Sequence, residues 1–299
     1  MSDEVWILAA NRTMARALEV GRWVNTFAAH GVMLVPCLTS ELRLVARTDG
    51  LAMYDLDGHE LEAPCLCLPR VYEREPAFHL ERMGTTCLPS SALVDICYDK
   101  VRTAQLVAGS GVPMIESELV SCFDSELATQ VLAGPRQAST PWPTVVKPAS
   151  GRGGAGVLRA TTQEDYLDAF DVLHLRSGVM QPVVDEGRDI RVYVIGGQPR
   201  YAMERIGRSG DFRSNYSTGG TARQVELTDE LAQYAQRVVD VLPDAMPFGS
   251  VDFCLDDGRP VFCEVNANLG CHIPYEFAHI DLIGDFADWV RETYCEVVS

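Results

Sequence analysis

The chain has 299 residues, 47% hydrophobic and 22% charged, with 25 lysines and arginines against 42 acidic residues and a formal charge of −17. That length buries a full core with room for two or three subdomains, and that charge excludes nucleic acid as a partner, since no concentrated basic patch offsets it. No apolar run reaches the length of a membrane span, and MSDEVWILAA lacks the basic start and cleavage site of a secretory leader, so no membrane partner and a cytoplasmic location are expected.

In chain order, VWILAA predicts a buried strand, residues 15–29 a helix stopped by Gly31, and VMLVP a second strand. This is how an α/β domain with a parallel sheet begins. CLCLPR, residues 65–70, predicts another strand of that sheet, ending on Arg70. The C-terminal end of such a strand is where ligand-facing groups stand, so Arg70 is a candidate, with a plain surface arginine as the alternative. DICYDKVRTAQLVAGSGVP predicts one amphipathic helix closed by Gly109 and Gly111 with Pro113 beyond. Residues 133–143 are turn-forming and predict a connector.

Next come a strand and glycine run, TVVKPASGRGGAGV, then a helix over 164–173 opened by TTQED and a strand GVMQPVV. DIRVYVIGGQPRYAMERI predicts a hairpin with GGQP at its tip. A polar, glycine-rich stretch leads to a helix over 229–242, a final hairpin in SVDFCLDDGRPVFCEVNANLG, and a last helix near 285–298. There is no internal repeat. The ten cysteines are scattered through apolar runs such as LCLP and DFCL and read as reduced core thiols. The pairs Cys65/Cys67 and Cys263/Cys271 lack zinc-finger spacing and are assigned no metal.

Three segments carry chemistry. In the glycine run, backbone N–H groups can approach an anion closely and Lys147 adds a compact charge beside them, an arrangement suited to a triphosphate. It is not a Walker loop, because the lysine precedes the glycines. In the final hairpin, Asp252 lies on one face of its strand and Glu264 and Asn266 on one face of the other. A three-residue Asp257-Gly258-Arg259 loop would put Asp252 opposite Glu264, whereas a two-residue Asp257-Gly258 turn would split them. Two carboxylates and an amide oxygen on an otherwise apolar hairpin suit a hard cation such as Mg²⁺ shared with phosphates; a solvated polar face is the alternative. The third segment, GDFRSNYSTGG, offers Arg213 for phosphoryl or tetrahedral charge and Asn215 for metal or phosphate, or is a plain surface loop.

The order of DKVRTAQLVAGSGVP, VVKPASGRGGAGV, MQPVVDEGRDIRVYVIGG, GDFRSNYSTGG and VDFCLDDGRPVFCEVNANLG resembles the ATP-grasp superfamily, and within it the RimK-like carboxylate–amine ligases of the alpha-L-glutamate type. The likeness runs from about residue 65 to 275. It implies an α/β (α+β) chain with a Rossmann-like pre-ATP-grasp domain, 1–95, and a two-lobed ATP-grasp fold. The lobe with the glycine loop would be 96–183 and the lobe with the magnesium site 184–299.

The resemblance also implies ATP and Mg²⁺ or Mn²⁺ as cofactors, and carboxylate and amine substrates, one an amino acid such as glutamate, joined through an acyl phosphate with release of ADP. By motif position, Lys100 and Lys147 would contact phosphates under a loop of Gly151, Gly153, Gly154 and Gly156. Gln181, Pro182 and Val183 would form the hinge whose backbone reads adenine, Asp189 would bind ribose, and Asp252, Glu264 and Asn266 would hold the metal. Arg213 and Asn215 would be catalytic; Arg70, Arg191, Arg205 and Asn268 would face substrate. Pro182 stands where the family often has glutamate, and the stretch from the hinge to Asp189 is short. For His272 a structural role is expected, and His174 is expected on the surface. Homo-oligomers are usual in this family. A ligase of another branch, joining dipeptides or precursor peptides, and an inactive nucleotide sensor are the rival readings.

Overall fold

The computed structural model describes residues 2–295 except 11–13, 72, 125, 127–128, 130–142, 152–153, 175, 185–186 and 209–218. The chain opens with β1 (Ser2–Ala9), α1 (Met14–Ala29) and β2 (Leu34–Leu38). Gly31, at φ +84°, ends the α1 turn, a conformation open to glycine without cost. β3 (Arg43–Arg47) and β4 (Gly50–Tyr54) form a hairpin of their own. β5 (Pro64–Pro69) and, after α2 (Glu75–Arg82), β6 (Thr86–Cys87) complete a parallel sheet of order β2-β1-β5-β6. Arg70 follows β5 directly, as expected.

The single helix expected over 95–113 is instead two, α3 (Ser91–Cys97) and α4 (Lys100–Val107). Asp99 has extended dihedrals, and its side chain accepts from the N–H groups of Val101 and Arg102. It caps a new helix rather than continuing the old one. A second sheet, antiparallel, is built from β7 (Glu118–Val120), β8 (Thr144–Pro148), β9 (Leu158–Ala160) and β10 (Gly178–Pro182), in the order β7-β10-β8-β9. α5 (Gln163–Val172) opens with a capping box between Thr162 and Asp165. It lays Tyr166, Ala169 and Phe170 on Phe123, Val146 and Met180. Most of the expected connector at 133–143 lies outside the described residues.

The third sheet contains β11 (Arg188–Ile195), β12 (Gln198–Ile206), β13 (Thr221–Val225), β14 (Phe248–Asp256) and β15 (Arg259–Asn266), ordered β13-β12-β11-β14-β15. Its β11–β12 turn is Gly196-Gly197, both with positive φ, as the GGQP tip predicts. One face packs on α6 (Asp229–Asp240) through Val192, Val194, Val251 and Phe253. On the other face Tyr193, Ile195, Met203 and Phe248 join Trp23 and Phe27 of α1 and Phe286 of the last helix. α7 (His272–Ala278) and α8 (Leu282–Val290) finish the fold. α8 starts earlier than expected because Asp281 caps it, and after Val290 the coil widens to a π-helical turn, Arg291–Cys295. Among the described residues no helix is long and apolar enough to cross a membrane.

The cluster around Phe286 fastens the opening α/β unit to the third sheet. Phe286 is 1% exposed and stands 4.8 Å from the Phe248 ring and 6.1 Å from that of Trp23. Phe286→Ala is expected to lower stability by about 3–5 kcal/mol, read from the shift of the urea midpoint.

Candidate functional site

The β14–β15 turn is the two-residue Asp257-Gly258, with Asp256 opposite Arg259 and φ of +47° and +79°. A regular ladder from that turn would pair Asp252 with Cys263 and send Glu264 to the other face. The register shifts between Asp252 and Phe253, so Cys263 is the extra residue and Asp252 faces Glu264. The short turn and the convergence, alternatives in the sequence, coexist because a bulge intervenes.

The same sheet face carries a row of charges. Arg205 of β12 lies opposite Asp189 of β11, and Arg191 of β11 opposite Asp252 of β14. Asp252, 1% exposed, accepts from Arg191 Nε at 2.8 Å, Arg191 Nη2 at 2.5 Å and Arg205 Nη2 at 2.8 Å. Arg205 also grips both oxygens of Asp189, Nε to Oδ1 at 2.7 Å and Nη2 to Oδ2 at 2.5 Å. Burial opposes charge on Asp252, but Arg191 and Arg205 outweigh it and hold the carboxyl down to about 2. Beyond this row Glu264 and Asn266 reach the edge of the sheet, where Asn266 Nδ2 donates to Glu264 Oε1 at 3.3 Å.

Two lysines approach from the neighbouring elements. Lys100, in the first turn of α4, donates from Nζ to Gly151 O at 2.9 Å, and its backbone N–H donates to Ala149 O. Lys147, on β8, donates to Gln181 Oε1 at 2.8 Å, with Cys263 Sγ 3.9 Å away. Gln181 is fixed in turn by donating to Ser117 Oγ. Burial draws the Lys100 ammonium below the usual lysine value, with Glu264 opposing. Burial also disfavours charge on Lys147, but Cys263, Cys254 and Glu264 prevail and hold it above that value. A cavity of about 70 Å³ is walled by Lys100, Thr103, Gly151, Glu264, Asn266 and Asn268.

The structure therefore brings Lys100, Gly151, Glu264, Asn266 and Asn268 to one cavity, with Lys147 and Gln181 in the adjoining slit beside Cys263. Gly154 and Gly156 turn the loop with positive φ; Gly153, Arg213 and Asn215 lie outside the described residues. Three expectations change. Arg191 and Arg205, expected to face substrate, are respectively partly buried and buried, and are instead engaged in ion pairs with Asp252 and Asp189. Asp189, expected at the ribose, is 5% exposed and held by Arg205. At the hinge Pro182 has no N–H, and that of Val183 donates to Pro143 O at 3.1 Å, so a purine would meet carbonyls there first. Arg70 is buried rather than at the surface, 5% exposed, and donates to Leu269 O at 2.6 Å. Ser117, and Cys263, expected only as a core thiol without a metal, also stand at the slit beside Lys147. Nothing in the spacing marks Ser117, and Cys263 follows only from the bulge.

The profile of the RimK-like ATP-grasp domain matches residues 97–290. A probable alpha-L-glutamate ligase of Maridesulfovibrio salexigens is 30% identical over 247 residues, 79% of this chain and 79% of that protein. N-acetylaspartylglutamate synthase A of Homo sapiens is 32% identical over 215 residues, 71% of this chain and 54% of that protein. The solved structure of the ATP-grasp ligase PsnB with minimal precursor, Mg and ADP has a TM-score of 0.69 at 16% identity and covers 98% of this chain and 98% of its own, which shows a shared fold.

Removing Asp252 strands the buried guanidinium of Arg205 and the partly buried one of Arg191. Asp252→Asn is expected to cost about 3–5 kcal/mol at neutral pH. Because the folded carboxyl titrates below the usual aspartate value of 3.8, its charge contributes stability above that pH and loses it as pH falls toward 2. The stability gap between wild type and Asp252→Asn should accordingly shrink by about 2 kcal/mol between pH 4 and pH 2, measured by urea unfolding across that range.

Proposed function

The chain belongs to the RimK-like ATP-grasp family and is an ATP-dependent, ADP-forming carboxylate–amine ligase; on that premise we propose that its reaction runs through an acyl phosphate formed beside Lys100, Lys147, Glu264 and Asn266. The observation that carries this reading is the bulge at Cys263, which puts the carboxylates of Asp252 and Glu264 on one face, with the two lysines beside Glu264. The γ-phosphoryl group passes to a substrate carboxylate, and the amine nitrogen then attacks the acyl carbon. The C–N bond forms as the C–O bond to phosphate breaks, and the nitrogen gives up its proton.

Positioning and charge neutralisation are the protein's share of such phosphoryl transfer. Lys100 and Lys147 offset phosphate charge, and the loop through Gly151, Gly154 and Gly156 offers backbone N–H groups. The oxygen-only donor set suits Mg²⁺ or Mn²⁺: Glu264 and Asn266 present their oxygens at the cavity, and Asp252 backs them from within the sheet. Such an ion would draw charge from the phosphates. Arg213 and Asn215 are assigned to the reacting phosphoryl and acyl groups by motif. Asp189 is reassigned as the residue that positions Arg205, since Arg205 holds both of its oxygens. An amino acid such as glutamate is proposed as one reactant, resting on the names of the two sequence relatives.

The test is ADP release from MgATP against a panel of amino acids paired with carboxylate acceptors. Glu264→Gln is expected to lower kcat by roughly 10²-fold or more, the scale for losing one preorganised charge-stabilising group, while the urea midpoint hardly moves because Glu264 reaches solvent. Unchanged turnover in Glu264→Gln would overturn the assignment of this face.

A further inference from the structure

Two thiols stand on the charged face of the third sheet and take no part in the reaction above. Cys254 of β14 lies directly opposite Asp189 of β11, two residues along from Asp252 and so on the same face. Cys263 is the extra residue of the β14–β15 bulge, opposed together with Glu264 to Asp252. Both are half-buried, and the Cys254 S–H donates to Cys263 Sγ. We propose that Cys254 and Cys263 are a covalent modification site, a dithiol that hydrogen peroxide closes to a disulfide, and that the closed form binds MgADP weakly.

The first argument is access. Cys263 lines the slit with Lys147 and Gln181, its Sγ 3.9 Å from Lys147 Nζ. Lys100 lines that slit and also the cavity of Glu264 and Asn266, so the two adjoin. The slit measures about 10 Å³, roughly the space of one water. A peroxide is little larger and fits the route, whereas a peptide disulfide is far too bulky. The other thiols in register, Cys67 and Cys87 across β5 and β6, are buried in the core with Leu80 and Ala77.

The second argument is freedom to move. Diagonal positions in a regular antiparallel ladder stand about 7–8 Å apart, whereas a disulfide brings its Cβ atoms to about 3.5–4.5 Å. A bulge leaves its extra residue out of the ladder. Cys263 can therefore swing toward Cys254 without breaking a cross-strand pair.

The step balances without any group from the nucleotide site. One sulfur attacks a peroxide oxygen and the O–O bond breaks, which gives a sulfenic acid and one water. The other sulfur attacks the sulfenic sulfur, the S–O bond breaks, and a second water leaves with the remaining thiol proton. Two thiols lose two hydrogens and two electrons, and the peroxide is reduced to two waters. A small dithiol reverses the bond by exchange.

The third argument is consequence. Glu264 follows Cys263 directly, and its place opposite Asp252 depends on the bulge. Drawing Cys263 to Cys254 tightens that bulge, turns Glu264 from the face it shares with Asn266, and takes the Cys263 sulfur away from Lys147. The effect on the nucleotide rests on the site assignment above; formation of the bond does not.

The experiment treats the reduced full chain with a few equivalents of hydrogen peroxide, blocks the free thiols with iodoacetamide, and measures peptide masses. MgADP affinity is read by calorimetry before treatment, after it, and again after dithiothreitol. Cys254 and Cys263 are expected to escape blocking as a pair, their peptide lighter by two hydrogens, with MgADP bound tenfold or more weakly and full affinity restored by dithiothreitol. Cys254→Ala and Cys263→Ala are each expected to lose the bond, with dimedone capturing a sulfenic acid on the thiol that remains. Both cysteines still open to blocking, a bond from either to another cysteine, no MgADP binding in the reduced chain, or a closed pair with unaltered MgADP affinity would overturn the proposal. A reduced chain that binds MgADP, closes the pair and loses affinity, yet releases no ADP with any reactant pair, would sink the ligase reading and leave this one standing. ADP release from a chain whose two thiols stay open under peroxide would do the reverse.

Discussion

The charge pairing at Asp252 constrains everything around it. A carboxylate that is 1% exposed persists only if its charge is met, and here Arg191 and Arg205 meet it from two adjacent strands. Arg205 then needs a second anion, which Asp189 provides, so two cations and two anions close on themselves. Each pair is directly cross-strand or one strand removed, and the register of β11 with β12 and β14 is fixed by it. A slip of β11 by one residue would turn Asp189 and Arg191 into the apolar layer beneath α6 and leave Arg205 and Asp252 without their partners. The sheet is thus divided along its strands as well as between its faces. On the face away from α6, the Tyr193, Ile195, Met203 and Phe248 end packs on α1 and α8, and the Asp189, Arg191 and Asp252 end leads to Glu264 and Asn266.

The second sheet brings complementary charge to that end. Lys147 is held by Gln181, and Gln181 by Ser117, so the ammonium is aimed before any ligand arrives. Gly178 permits this placement: a Cβ there would sit 2.1 Å from Lys147 O and 2.5 Å from the Phe123 ring. The close approach of β10 to β8 at the lysine is possible only without a side chain. Lys100 is set differently, at the N-terminal turn of α4, tied to the glycine loop through Gly151 O and Ala149 O. Burial draws the Lys100 pKa below the usual lysine value, while at Lys147 burial is outweighed by Cys263, Cys254 and Glu264, which hold its pKa above it. An anion entering between them therefore gains most at Lys100, the ammonium that is less well compensated without it.

Much of this was legible in the sequence, and the misses have physical causes. The capping box at Thr162, the Gly196-Gly197 turn and the β1–α1–β2 opening are local signals, and each is found where it was expected. Apolar spacing continues across Asp99 and predicts it inside a helix; its capping role depends on two backbone N–H groups that no pattern shows. The β3–β4 hairpin, not among the expected elements, does carry a local signal in RLVAR and GLAMY around Thr48-Asp49. The bulge was not legible at all. Cys263 has no property that distinguishes it from a regular strand residue, and the shift is settled by burial of Phe253 and Phe262 on one face with Asp252 and Glu264 on the other. The pairing of Arg191 and Arg205 with Asp252 was hidden for a related reason, since which strand lies beside β11 on its far side is a tertiary fact.

A chain of formal charge −17 that takes a triphosphate faces an adverse field at long range, and its internal arrangement answers that. Exposed charges act over roughly a Debye length, about 8 Å at physiological salt, so surface acids do little inside a cavity walled by protein. There the near groups decide: Lys100 and Lys147 on one side, and on the other acids largely neutralised before they meet the ligand, with Asp252 and Asp189 bound to arginines. Glu264 is the exception in this row, an acid that Asn266 touches and no arginine pairs with among the described residues. A carboxylate left in that condition beside two lysines repels phosphate unless a cation lies between them. On the proposed assignment the arginine pairs serve a purpose beyond stability: they would remove two negative charges from the path of the nucleotide and leave one, where a metal ion would join protein to phosphate.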